Sequence, residues 1–102
     1  MGSIIIDRPL MQNQGNVVSD MDGDIVMLNI QHGKYYNLGA IGGRIWGLLG
    51  SPTSSHQIIE VLLNEYQVDK TACQQQVVDF LEQLSAEGLI HAVDGGIDEY
   101  RQ

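Results

Sequence analysis

Apolar and polar positions alternate at a period of two through the first third of the chain, and beyond Ile41 the apolar residues return every three or four positions. The chain therefore reads as strands followed by helices. Val17 and Val18 begin a short strand that runs into Asp20-Met21-Asp22-Gly23, where Asp-Gly accepts the positive φ of a tight hairpin. Asp24 to Ile30 sets Val26, Leu28 and Ile30 on one face and Ile25, Met27 and Asn29 on the other, as a central strand would. A turn at Gln31-His32-Gly33 leads to a third strand, Lys34 to Leu38, with Tyr36 and Leu38 on one face and Tyr35 and Asn37 on the other. Three strands joined by short turns predict an antiparallel meander.

Gly39 marks the change of period, and a helix is expected over Ala40 to Leu49 on the spacing of Ile41, Ile45, Leu48 and Leu49. Gly42, Gly43 and Gly47 weaken that helix by up to about 1 kcal/mol each relative to Ala. Close approach of a neighbouring backbone, with Trp46 covering the space beside them, is the expected reason for keeping them. Gly50-Ser51-Pro52-Thr53 ends the helix, and Ser54 with Gln57 forms a capping box for a second one carrying Ile58, Ile59, Val61, Leu62, Leu63 and Tyr66. Asp69 is the expected N-cap of a third helix, with Val68 and Cys73 as its hydrophobic staple. Cys73, Val77, Phe80, Leu81 and Leu84 form its core stripe, Gly88 its C-cap, and Leu89-Ile90 fold back on its last turn. The resulting class is α+β, a three-stranded antiparallel sheet followed by three helices, with the parts of a winged helix-turn-helix. Residues 1–15 precede this unit, with Ile4-Ile5-Ile6 as a short strand or a packing tag; residues 16–93 form the domain; residues 94–102 are expected to be a polar, mobile tail.

A length of 102 residues suits one domain. No apolar run reaches the roughly 18 to 20 residues that cross a bilayer, and no signal pattern opens the chain, so a cytoplasmic protein is expected. Five basic against thirteen acidic residues give a formal net charge of −8. That charge disfavours nucleic-acid backbone binding, which runs on Lys and Arg, and favours a basic partner. Solubility explains it equally well. The lone Cys73 forms no internal disulfide and falls on the core stripe, and His32, His56 and His91 have no ligand spacing, so no metal or cofactor is expected.

Nothing in the sequence resembles an active site. The glycines around Gly42 lack the Gly-Lys-Ser/Thr ending of a phosphate loop. Asp20, Asp22 and Asp24 hint at calcium, but Met27, Leu28 and Asn29 continue a strand where a calcium loop would supply its bidentate Glu. A carrier domain would need Ser54 or Ser55 in an Asp-Ser-Leu setting, which is absent. What remains is backbone chemistry. The third strand of a meander is an edge, and this one carries two tyrosines and a single lysine to deter pairing. Such an edge can accept a peptide as an added strand. On this reading Tyr36 packs on the core, while Tyr35 and Asn37 stay available to a ligand.

These residues carry a resemblance. Asp22-Gly23-Asp24, Val26-Met27-Leu28-Asn29, Gly33-Lys34-Tyr35-Tyr36-Asn37-Leu38, Gly42 and Ile45-Trp46-Gly47-Leu48-Leu49 resemble the PqqD-like family. Tyr66-Gln67-Val68-Asp69 and the segment Val77, Phe80-Leu81, Leu84, Gly88-Leu89-Ile90 are similar to its downstream pattern, so the likeness covers roughly residues 17–91. Two positions depart from it: Asn29 stands where the family has Asp, and Gly39 where it has a helix-capping Asn. No role of that Asn is carried over.

The resemblance implies a non-catalytic recognition element for ribosomally made, post-translationally modified peptides, in which a precursor's leader joins the third strand beside the third helix. Carried over by position, the binding strand is Lys34, Tyr35, Tyr36, Asn37 and Leu38. On the third helix Gln74, Gln75, Val78, Leu81, Glu82 and Ser85 are expected to face the groove. The Gly-Lys-Tyr-Tyr form looks most like the discrete lasso-peptide version, whose partners are the leader, a separate cysteine-type leader peptidase and a cyclase. The alternatives are a pyrroloquinoline-quinone-type peptide chaperone serving a radical SAM enzyme and, in another class, a winged-helix regulator of DNA or protein. For the last, the third helix offers only Lys70 as a basic contact.

Overall fold

The computed structural model describes residues 8–93. Ile4-Ile5-Ile6 and the tail from Asp94 lie outside the described residues. Eight elements follow one another: β1 Leu10–Gln12, β2 Asn16–Met21, β3 Asp24–Asn29, β4 Lys34–Asn37, α1 Gly39–Leu48, α2 Ser55–Glu65, α3 Lys70–Ala86 and β5 Ile90–Ala92. Strands β2, β3 and β4 form the antiparallel meander, with β3 in the centre. Asp22 at φ 59° and Gly23 at φ 94° make the tight β2–β3 turn, and the Gly23 N–H donates to Asp20 Oδ1 at 2.7 Å.

The register puts Val18, Met27 and Tyr36 in one row and Asn16, Asn29 and Lys34 in the next, so the face bearing Met27 is the one turned to the core. Asn29 is buried there. Its Nδ2 donates to Asn16 Oδ1 and its Oδ1 accepts from the His32 N–H, each at 2.8 Å. An aspartate could do only the second, and the amide therefore suits this position. Helix α1 lies on the same face: a Cβ at Gly43 would sit 2.1 Å from Ile25 Cγ1, and one at Gly42 3.1 Å from the Phe80 ring. Side chains, not a neighbouring backbone, require these two glycines, and Gly47 faces open space.

The helix ends follow local chemistry. Ser54 and Gln57 close the expected capping box, and Asp69 caps α3 by accepting from the Ala72 N–H. At the other end of α3, Gly88 at φ 74° lets its own N–H reach the Ser85 carbonyl and the Leu89 N–H reach Leu84, a Schellman closure. The chain then does more than fold back on that turn. Ile90–Ala92 pairs antiparallel with Leu10–Gln12, forming a two-stranded sheet beside the expected three-stranded one. Leu10 is fully buried in the core with Met27, Leu49, Ile58, Val77, Leu81 and Leu89. Leu10, ahead of the domain bounds expected from the sequence, thus packs in the core, with Met11 and Gln12 half-buried beside it.

Candidate functional site

Among the described residues strand β4 has one neighbour, β3, and it presents its other edge to a cleft against α3. In an antiparallel ladder alternate residues point their N–H and C=O groups to opposite sides. The Leu38 N–H donates to the Ile25 carbonyl at 2.7 Å, and Tyr36 and Lys34 share its parity. Tyr35 and Asn37 therefore direct their backbone groups outward. Two donors and two acceptors are set along this edge, enough for a short added strand. Tyr35 is the most exposed of the large apolar side chains among the described residues, at 73%. Asn37 is also exposed, but its Oδ1 accepts from the Gly39 N–H at 3.0 Å. That bond helps hold Gly39, at φ 71°, in the break between strand and helix.

The cleft measures about 340 Å³ and is lined by Tyr35, Tyr36, Asn37 and Leu38 on one side and Phe80, Gln83, Leu84 and Glu87 on the other, with Leu89 at its floor. At the Lys34 end, Glu87 reaches across from α3: its Oε1 accepts from Tyr36 Oη at 2.9 Å and from Lys34 Nζ at 3.2 Å. The Lys34 ammonium also lies 5.8 Å from the Tyr36 ring centroid. Tyr36 is half-buried, as expected of a residue packed on the core, yet its hydroxyl belongs to this bridge. Hydrogen bonds from Tyr36 and Lys34 hold the Glu87 carboxyl below the usual carboxylate range. Glu87 raises the Lys34 ammonium, and partial burial with the same carboxylate raises the Tyr36 phenol.

At the other end Leu38 and Phe80 pass into a second, apolar hollow of about 380 Å³. Ile41, Ile45, Leu62, Tyr66, Val68 and Cys73 are among the residues of its wall. Burial alone raises the Cys73 thiol, which suits a packing residue rather than a nucleophile. Beside the hollow, Arg44 grips Glu65 through two nitrogens, at 2.9 and 2.6 Å, and ties α1 to the end of α2. Among the described residues no group of three or more His, Cys, Asp or Glu side chains could hold a metal ion.

Of the residues named from the sequence, Lys34 to Leu38 form β4 and its exit, and four of the five line the cleft. The helix residues do not join them. Leu81 is fully buried in the core, Val78 and Ser85 are half-buried, and Gln74, Gln75 and Glu82 are exposed; none lines the cleft. The cleft-lining residues are instead Phe80, Gln83 and Leu84 of α3 with its C-cap Glu87, toward the opposite flank of the core stripe. Periodicity locates that stripe but not which flank faces the sheet edge. Phe80, expected in the core stripe, is only partly buried and stands on the flank that lines the cleft, where Gly42 leaves room for its ring.

The outward edge of β4 and the cleft against α3 together form the candidate site. The chain's residues 24–90 match the family described as coenzyme PQQ synthesis protein D (PqqD). The chain belongs to the PqqD-like family, whose members include RiPP recognition elements. Among solved structures it is similar to TbiB1 in complex with the TbiA(beta) leader peptide, at 30% identity, TM-score 0.71, with 81% of this chain and 96% of that one covered. It also shares its fold with a lasso peptide synthetase B1 complexed with the leader peptide, at 20% identity, TM-score 0.69, with coverage of 81% and 98%. No curated protein matches the chain.

Proposed function

We propose that this chain is a non-catalytic element of lasso-peptide maturation, binding a precursor's leader as an added strand on β4. It then delivers the precursor to a separate cysteine-type leader peptidase and, through it, to a cyclase. The observation that carries the reading is the outward edge of Tyr35 and Asn37 opening onto a cleft whose far wall is α3. Backbone hydrogen bonds would contribute affinity without regard to sequence, and the apolar end at Leu38 and Phe80 would select a bulky apolar leader side chain. That the 30% identical TbiB1 forms a complex with a leader peptide supports a leader as the ligand. The bridge at Lys34 and Glu87 would limit how far the added strand extends toward Gly33.

The test is an amide-shift titration of the labelled protein with two synthetic peptides, the TbiA(beta) leader and the leader encoded beside this chain's gene. Shifts should concentrate at residues 34–38 and 80–87. Shifts at Gln74, Gln75, Val78, Glu82 and Ser85 in place of the second group would move the groove to the other flank of α3. No shift with either peptide would overturn the reading.

A further inference from the structure

The walls of the cleft are joined twice, by different chemistry. At its mouth Glu87 reaches Tyr36 and Lys34 through exposed groups. Behind it stands Asn13, in the connection between β1 and β2, which is bonded through each of its polar atoms. Its backbone N–H donates to the Leu89 carbonyl at 2.8 Å, and its Nδ2 donates to the Gly88 carbonyl at 2.7 Å. Its Oδ1 meets His91 Nδ1, and its carbonyl accepts from Asn16 Nδ2 at 3.2 Å. Gly88 follows Glu87 directly and Leu89 is at the floor of the cleft, so Asn13 fastens that floor and the end of the α3 wall together without lining the cleft itself.

From Asn13 the bonds continue to the opposite wall. Asn16 Oδ1 accepts from Asn29 Nδ2 and Asn29 Oδ1 accepts from the His32 N–H, both at 2.8 Å. The Asn29 carbonyl accepts from the Gly33 N–H at 2.8 Å, so Asn29 holds the turn from which β4 starts at Lys34. A run of asparagines thus connects the end of α3 with the beginning of β4. These amides carry no charge, and Asn29 is buried with Asn13 and Asn16 half-buried, so salt should screen this link far less than the bridge at the mouth.

The direction of the Asn13 amide follows from its partners. A carbonyl only accepts, so the group facing Gly88 is the NH2, and the Oδ1 left for His91 requires a hydrogen on that ring's Nδ1. The same side chain therefore fixes the tautomer of a neutral His91. Gly88 and His91 are exposed, so loss of the side chain lets both take water, while the backbone bonds of Asn13 remain.

We propose that Asn13 is a positioning residue of the leader site: it sets how far the Glu87 end of α3 stands from Lys34, and with it the width that an added strand must enter. The ligand rests on the function proposed above; the hold of Asn13 on the cleft is read without ligand.

The test compares the full chain with Asn13→Ala and with the isosteric Asn13→Asp, which loses the donor to Gly88. Without leader, both variants should move the Lys34 amide and Tyr36 ring resonances, although residue 13 bonds to neither, and Asn13→Ala should lose the Nδ1–H signature of neutral His91 in nitrogen-15 spectra. Affinity for the leader encoded beside this chain's gene, read by anisotropy, should fall about three- to tenfold in both variants, as for loss of one net hydrogen bond. Gln14→Ala, at the exposed neighbouring position, should leave it unchanged. Combined with Glu87→Gln, Asn13→Ala should cost at least about threefold more than the product of the single losses, because each link limits the opening left by loss of the other. A lower melting temperature with unchanged leader affinity and unmoved Lys34 and Tyr36 signals would make Asn13 a structural contact and overturn the proposal. Strictly multiplicative losses would also overturn it, since independent links do not share control of one width. Moved Lys34 and Tyr36 signals in a protein that binds neither this leader nor the TbiA(beta) leader would uphold the hold of Asn13 on the cleft and overturn the proposed function instead.

Discussion

The two ends of the cleft beside β4 use different chemistry within the length of a single short strand. At the Lys34 end the walls are joined by exposed polar groups, Glu87 bridging Tyr36 and Lys34. At the Leu38 end they separate into an apolar hollow edged by Phe80. Exposed ion pairs contribute little free energy, typically about 0 to 1 kcal/mol, whereas burying a large apolar side chain contributes roughly 1.5 to 3 kcal/mol. The apolar end should therefore supply affinity, and the bridged end should fix where an added strand starts.

The largest test of that division is Phe80→Ala. Phe80 lines both the cleft and the hollow, so its loss should weaken leader binding ten- to a hundredfold, about 1.4 to 2.8 kcal/mol, read by fluorescence anisotropy. Thermal melting should also fall by several degrees, because the ring packs on the core cluster. A loss of equal size from Glu87→Gln would break the comparison.

The glycines of α1 sharpen it further. A Cβ at Gly42 would meet the Phe80 ring at 3.1 Å and Leu38 Cβ at 3.3 Å. Gly42→Ala should therefore shift the boundary of the apolar end and weaken leader binding a few-fold. Gly47→Ala meets nothing within 4 Å, should leave binding unchanged, and should stabilise the fold by up to about 1 kcal/mol through helix propensity. Gly42→Ala with undiminished affinity would show that Phe80's position does not matter to the ligand.

These residues also show what the sequence could carry. The Asp22-Gly23 turn, the Ser54–Gln57 capping box, the Asp69 cap and the Gly88 closure are local events whose donors and acceptors lie within a few positions, and all were legible. The β1–β5 pair was not, because two three-residue strands at opposite ends of the described chain carry too little pattern to announce each other. The same limit explains α3. Of the stripe expected from spacing, Cys73, Val77, Leu81 and Leu84 are buried and Phe80 only partly so, because the side turned to β4 depends on how α3 is placed against the sheet. Glu87 was missed for a further reason: the bridge to Lys34 and Tyr36 joins residues about fifty positions apart, on elements whose mutual placement no local pattern encodes.

The smallest expected effect lies at that bridge, and its sign follows from the two charges. Because the folded Glu87 carboxyl sits below its ordinary value, its contribution is present above the usual carboxylate range and is lost as pH falls through the folded value. Lys34 shifts the opposite way, upward, so its contribution is complete below the ordinary lysine range and is lost only as pH rises through the raised value. Between mildly acidic and mildly alkaline pH both charges persist, and leader affinity should be flat. Below the usual carboxylate range the Tyr36 ring resonances should move as the bridge opens, with leader affinity changing no more than two- to threefold. Glu87→Gln should abolish that acid transition in the ring signals while leaving affinity at neutral pH within the same two- to threefold. The readout separates register from affinity: with the charge removed and only the neutral Gln carbonyl left to accept from Tyr36 and Lys34, amide shifts on leader binding should spread from Tyr35 toward Gly33, because the walls are then held more weakly at that end. An unchanged shift pattern in Glu87→Gln would mean that the bridge is a surface contact with no part in placing the strand, and that the apolar end alone sets the register.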